Sequence, residues 1–270
     1  MRKTRLRNGG PTETDLRGLR VAAGSSPMEQ FEVKPIIDLN LFGLDASFTN
    51  ASLFMVLGVG LICSFLTFAM TSRSLVPSRM QSLAELSYEF IANMVRDNIG
   101  TAGMKYMPFV FSLFVFVLVM NLLGMIALPA IWKPFTVTSH IVVTFALAAL
   151  VFVVVLVVGF SKHGLGFFRL FVPEGVPLAI MPMIVVIEFF SFMIRPISLS
   201  VRLFANMLAG HTMMKVFAGF VVSAGVFGVI PFVVMIGLTA FEFLVAVIQA
   251  FIFSILTCVY LNDAVNLHDH

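Results

Sequence analysis

Between residues 177 and 220 the chain stays apolar for more than forty positions, with only isolated polar interruptions. A straight helix of that length reaches about 60 Å, roughly twice the hydrocarbon thickness of a bilayer. Such a segment must be strongly tilted or broken, and Pro196 marks a place for a break. After the short turn SAGVFGVIP a second over-length apolar segment covers 232–261. Two helices of this kind joined by a tight turn predict a pair that crosses the bilayer obliquely.

The rest of the sequence fits a membrane chain. It is 59% hydrophobic and 11% charged, with mean hydropathy +1.02, whereas soluble chains carry about 45–50% apolar and about 25% charged residues. Three shorter apolar runs, at 51–70, 107–128 and 140–160, have the length of single spans. The second and third are joined by the Pro-bearing turn LPAIWKPFTVTS and predict an antiparallel hairpin. Residues 78–100 differ: Leu83, Leu86, Phe90, Ile91, Met94 and Val95 recur at helical spacing opposite Glu85, Glu89, Arg96 and Asp97. That pattern suggests an interfacial amphipathic helix, with a soluble-facing helix as the alternative. The expected fold class is an all-α integral membrane protein with about five spans and one interfacial helix.

Charge placement divides the chain. Residues 1–27 hold six Lys/Arg against two acids and contribute +4, so the remainder is −1. This basic, Gly-rich stretch cannot bury a core and reads as a disordered extension before a single membrane domain over 28–270, with Met28 as an alternative start. The high pI therefore gives no support for nucleic-acid binding. Arg73, Arg79, Arg96 and Lys105 follow span one, and Lys162 and Arg169 follow span three. Both loops should face the cytoplasm or matrix, which puts the N-terminus outside and the C-terminus inside. Cys63 and Cys258 fall inside predicted spans and read as buried small apolar groups. No nucleotide loop, nucleophile elbow or metal-ligand spacing occurs, so no catalytic, cofactor or metal site is expected within the chain.

The polar residues inside the apolar segments carry the functional signal. On a helical wheel with Arg202 at zero, Glu188 falls at about +40°, Ser191 at about −20°, Arg195 at about +20°, Ser198 at about −40° and Asn206 at about +40°. They form one polar stripe on a helix of Phe, Ile, Met and Val. His211 falls on the opposite side, where it would meet a neighbouring helix. On the second long segment Glu242 and Gln249 are seven apart and nearly in line. Glu242 and His211 on adjacent antiparallel helices would make a proton-handling pair, since imidazole titrates near neutrality and burial raises a carboxyl pKa.

A charge at the bilayer centre costs on the order of 3 kcal/mol by insertion scales. Arg202 cannot escape that cost by deprotonating, whereas Glu188 and Glu242 can. The bland explanation of Arg202 is an ion pair with one of those acids, or snorkelling to a headgroup. For Arg195, beside Pro196, a kink near an interface is the equivalent explanation.

The segments NLLGMIALP, FTVTSHIVVTFALA, FVPEGVPLAIMP, IEFFSFMIRPISLSVRLFANMLAGH and FLVAVIQAFIFSILTCVYL resemble the subunit a family of rotary F-type ATP synthases. RLFANMLAGH together with VAVIQAFIF is the most specific combination. The resemblance runs from MEQFEVKP to the C-terminus and leaves residues 1–27 unaccounted for. It implies a proton-translocating stator subunit, not itself an enzyme, whose last two long tilted helices lie against a rotor c-ring. Peripheral stalk subunit b, the other Fo and F1 subunits and membrane lipid would be its further partners. Arg202 would be the essential arginine facing the rotor carboxylate. Asn206, His211, Glu242 and Gln249 would line an outer half-channel, and Glu188 an inner one, with Arg195 and Ser198 supporting. The family places either an acid or a histidine at the position of His211, with the complementary group at that of Glu242; this chain has histidine first. A bacterial inner membrane is the expected location, with the mitochondrial inner membrane as the alternative. The competing reading is a proton-coupled secondary transporter, which would call for an internal repeat that is not evident here.

Overall fold

The computed structural model describes residues 35–37, 40–41, 44–45, 47–71, 77–125, 136–172, 177 and 180–266. The expected extension 1–27, the start at Met28, the loop residue Arg73 and most of the Pro-bearing turn lie outside these residues.

Among the described residues six α-helices carry the fold: α1 (Asn50–Thr71), α2 (Arg79–Ile99), α3 (Met107–Met125), α4 (Ile141–His163), α5 (Met181–Ser223) and α6 (Val229–Val265). All except α2 are long and apolar enough to cross a membrane. The fold is therefore an all-α membrane protein with five candidate spans. One small departure precedes α1. Two short antiparallel pairs, Pro35–Ile37 with Phe48–Thr49 and Asn40–Leu41 with Leu44–Asp45, form a nested ribbon.

Local chemistry sets the helix ends. Ser78 is the N-cap of α2, its hydroxyl accepting from the Gln81 amide at 3.3 Å. The turn between α5 and α6 is the 3₁₀ segment Gly225–Gly228, opened by Gly225 at φ 54°, a left-handed conformation that glycine adopts without strain. Within the spans, Thr67, Thr71, Thr212, Thr239, Ser254 and Thr257 each donate to the carbonyl four residues back at 2.7–3.0 Å. Those hydroxyls are thus satisfied inside their own helices, as an apolar surrounding requires.

The forty-three residues of α5 form one helix, with Pro196 inside it. Proline removes one backbone donor, yet the helix continues on both sides, so of the two sequence alternatives the break is the one not taken. Its partner α6 runs back along it and also packs on α3, α4 and α2. The core lies where these helices meet: Ile91, Val95 and Ile99 from α2, Val110 and Val117 from α3, Val151 and Val155 from α4, Leu199 and Leu203 from α5, and Phe253 and Leu261 from α6.

One sequence expectation changes, that of Cys63, and the amphipathic helix divides its apolar residues between two surroundings. The apolar positions of α2 do not share one buried face: Ile91, Met94 and Val95 are buried against the bundle, while Leu83, Leu86 and Phe90 are exposed. Helical spacing cannot separate a face that packs on protein from one that meets lipid. Cys258 is buried, but Cys63 is exposed, because α1 has few neighbours besides α3 and leaves most of its surface outward.

Candidate functional site

The antiparallel course of α5 and α6 sets residues of one beside residues of the other in a running ladder. Asn206 donates through Nδ2 to Gln249 Oε1 at 2.8 Å. One turn along, Gly210 lies against Glu242, and His211 Nδ1 stands 2.5 Å from Glu242 Oε1. The His211 and Glu242 side chains are 3% and 4% exposed, so this is a buried ionisable pair. Their close atoms touch outside the alignment of a well-formed hydrogen bond, which leaves the pair short of directional partners on the shared side.

The other edge of His211 is held more closely. Its Nε2 lies 2.5 Å from Thr136 Oγ1 and 3.1 Å from the carbonyl oxygen of Gly124. The ring therefore bridges three helical neighbourhoods: its own α5, Glu242 on α6, and the end of α3 with the segment leading into α4. The wheel direction opposite Arg202 thus points His211 into protein. Nearby, Asn121 of α3 is fully buried, donates to the Ala246 carbonyl at 3.4 Å and has an unpartnered Oδ1. Gln249 Nε2 is likewise buried without a partner.

On the outward side of the two helices lies a groove of about 360 Å³. Arg202, Asn206, Glu242 and Gln249 all line it, among apolar residues such as Phe241, Ile248 and Ile252. Arg202 is exposed on this face, and no carboxylate lies within ion-pair distance of it among the described residues. Both acids that the sequence offers it are engaged elsewhere: Glu242 with His211, and Glu188 toward Arg195. Among the described residues, an intramolecular ion pair therefore does not explain Arg202.

Glu188 and Arg195 belong to a second cluster, two turns away from Arg202 along α5. Arg195 Nη1 lies 2.5 Å from Asp263 Oδ2 at the far end of α6, and Nη2 lies 3.9 Å from Glu188 Oε1. The guanidinium also sits over the rings of Tyr260 and Phe192, at 5.2 and 5.6 Å from their centroids. Ser198 donates to the Arg195 carbonyl at 3.0 Å and is exposed, outside both clusters. The single polar stripe of the wheel is thus divided in space: Arg202 and Asn206 in the groove, Glu188 and Arg195 beside Asp263.

Sequence reasoning did not single out Asn121, Thr136 or Asp263. Asn121 interrupts an apolar run and was open to the test applied to Asn206. Thr136 and Asp263 stand in polar stretches at segment ends, where no local pattern marks them. Among the described residues no cluster of three or more His, Cys, Asp or Glu is arranged to hold a metal ion.

Taken together, the site can hold protons on a buried carboxylate–imidazole pair and present an uncompensated cation on an open apolar face. Comparison with known proteins agrees with a specific origin. A family model described as ATP synthase A chain matches residues 52–262. A protein named ATP synthase subunit a from Rhodospirillum rubrum is 53% identical over 244 residues, covering 90% of this chain and 99% of its own. Proteins of the same name from Chelativorans sp. (strain BNC1) and Agrobacterium fabrum are each 57% identical over 249 residues, covering 90% of this chain and 98% of theirs.

Proposed function

The chain belongs to the ATP synthase A chain family, and on that premise we propose that it is the proton-translocating stator subunit of a rotary F-type ATP synthase. The observation that carries the reading is Arg202, exposed on the groove with no carboxylate partner among the described residues. An arginine that cannot deprotonate needs a counter-charge, and an open face receives one from another protein. That protein is the rotor c-ring, each subunit of which brings a mid-membrane carboxyl to the groove.

Arg202 then acts by electrostatics alone. Its fixed positive charge favours the ionised rotor carboxylate as it passes and repels a proton from the direct path between the two sides. Asn206, His211, Glu242 and Gln249 form the outer half-channel, loading a proton onto the rotor carboxylate. Glu188, with Arg195 and Ser198, serves the inner half-channel, where the proton leaves after nearly a full rotation. α5 and α6, each too long to cross upright, lie tilted along the ring. Each proton crossing the membrane potential releases about 2.3 kcal/mol per 100 mV, so several are needed for one ATP.

The positive loops after α1 and α4 support an inward placement of those loops, with the N-terminus outside and the C-terminus inside. Subunit b and membrane lipid cover the remaining apolar surfaces, and the bacterial origin of the relatives favours a bacterial inner membrane. The deciding experiment is Arg202→Ala in the intact complex. ATP-driven proton pumping should be abolished while ATP hydrolysis by the uncoupled head persists; normal coupled pumping would refute the reading.

A further inference from the structure

His211 has two ring nitrogens, and the structure gives them different work. Nε2 faces the Gly124 carbonyl at 3.1 Å and the Thr136 hydroxyl at 2.5 Å. A carbonyl oxygen only accepts, so Nε2 is the nitrogen that carries the hydrogen, donating to both oxygens. Nδ1, facing Glu242 Oε1, is left as the nitrogen that gains and loses a proton.

Thr136 is built into this position. The 3₁₀ turn Val137–Ser139 holds it, with the Ser139 hydroxyl donating to the Thr136 carbonyl at 2.6 Å. Its side chain lies against Gly124, where a Cβ would come within 2.6 Å of the threonine Oγ1 and Cγ2. Glycine at 124 thus does two things: it opens the space for the Thr136 side chain and brings its own carbonyl to Nε2. Thr136 is 2% exposed, so its hydroxyl is buried against the imidazole edge.

We propose that Thr136 is a positioning residue for proton exchange at His211: with the Gly124 carbonyl it holds the imidazole in the Nε2–H form and confines exchange to the edge facing Glu242. The proposal rests on the reading of the chain as a proton-translocating subunit. The empty pair is a carboxylate beside a neutral imidazole. One added proton rests on Glu242 or on His211 Nδ1, and the same proton leaves toward the groove that Glu242 lines. It does not pass through the ring, because the Gly124 carbonyl has no proton to return and the Thr136 hydroxyl has, among the described residues, no hydrogen-bond partner besides His211 to resupply one. The pair is therefore a loading station at the side of the path rather than a relay within it.

Among the described residues, other titratable or charged groups around His211 are few. Glu242 faces it from α6, His140 ends the segment that carries Thr136, and Arg202 and Lys215 lie on its own helix, while α3 carries none. The Thr136 hydroxyl accepts more strongly from a charged ring than from a neutral one. Removing it makes protonation of the pair harder.

The test uses the intact complex in liposomes, with ATP synthesis driven by a fixed potassium diffusion potential and measured against the pH on the side of the outer half-channel. Thr136→Val and Thr136→Ala should each move the midpoint of the rate to lower pH by about half a unit, a roughly threefold change in proton occupancy at fixed pH. Thr136→Ser should keep the wild-type midpoint. An unshifted midpoint in assembled Val and Ala variants overturns the proposal, and so does a Ser variant that shifts with them. Failure of Val and Ala to assemble where Ser assembles makes the residue merely structural and also overturns it. Arg202→Ala run in parallel separates the two levels: synthesis that survives that change refutes the function, whereas its loss beside an unshifted Thr136→Val refutes the positioning role alone.

Discussion

Gly210 and Glu242 are in such close approach that a Cβ on the glycine would stand 2.7 Å from Glu242 Oε1 and 3.0 Å from its carboxyl carbon. The obstacle is the end of a side chain rather than backbone, so Gly210→Ala should fold, with the carboxyl turned off the His211 edge. A displacement near 1 Å at a reacting group lowers rates by up to about 100-fold. We expect ATP-driven acidification of vesicles to fall about 10-fold or more with the amount of the chain in the membrane unchanged. Loss of the chain itself would show that backbone spacing, not carboxyl placement, is what the glycine protects.

The His211–Glu242 contact pairs an imidazole with a carboxyl, and such a pair can be built in either order along the chain. His211→Gln and Glu242→Gln preserve size but remove the exchangeable proton, and each should lower proton-driven ATP synthesis by about 100-fold, the lower end for a lost general acid–base group. The exchanged variant, with Glu at 211 and His at 242, should run faster than either single change. It should stay below the natural order, because Nε2 at 211 is what the Gly124 carbonyl and Thr136 accept from. Rates of synthesis at matched assembly decide the order.

Much of this arrangement was legible before any coordinates. Span lengths follow from hydropathy, and the placement of Arg202 with Asn206 follows from a 100° repeat, because a polar residue in an apolar helix leaves few alternatives. His211 was placed on the opposite side by the same repeat, and Glu242 was named as its neighbour. What the repeat does not carry is contact between distant segments. Thr136 lies 75 residues from His211, in a stretch whose hydropathy reads as a turn. Asp263 sits where the last span ends and reads as an ordinary polar terminus, although it is the acid that binds Arg195. The exposure of Leu83 and Leu86 beside the burial of Ile91 and Val95 was equally hidden, since hydropathy does not say whether an apolar residue meets lipid or protein.

Arg195 and Asp263 tie the early part of α5 to the last turns of α6, with side chains 23% and 17% exposed. Removal of one partner from a fully buried ion pair costs about 3–5 kcal/mol, and this partly exposed pair should cost roughly 2 kcal/mol. Asp263→Ala should therefore lower the temperature at which the solubilised complex releases this chain. Asp263→Asn, which keeps an acceptor for the guanidinium, should lie between it and wild type. Combining Asp263→Ala with Arg195→Ala should give less than the sum of the two single losses. Additive losses would mean that Arg195 is held mainly by the Tyr260 and Phe192 rings instead.

The C-terminal end of α6 is closed by groups from α4 and α2. Lys162 Nζ donates to the Val265 carbonyl at 2.6 Å, His163 Nε2 lies 3.3 Å from the same oxygen, and Asn266 donates to the Ile99 carbonyl at 3.3 Å. A helix ends in carbonyls with no partner of their own, and a cation there meets both the free acceptor and the negative end of the helix dipole. A hydrogen bond from a charged donor contributes about 1.5–3 kcal/mol. Lys162→Met should therefore loosen the last turn of α6 without unfolding the bundle, whose core extends well beyond that turn through residues such as Leu203 and Phe253. Amide hydrogen exchange over residues 261–265 should quicken by roughly tenfold, the equivalent of about 1.4 kcal/mol, while exchange in α3 stays unchanged. Lys162→Arg keeps a cationic donor and should restore most of the protection. Exchange that is equally fast in the Met and Arg variants would show that side-chain shape, rather than the charge at the helix end, holds the turn.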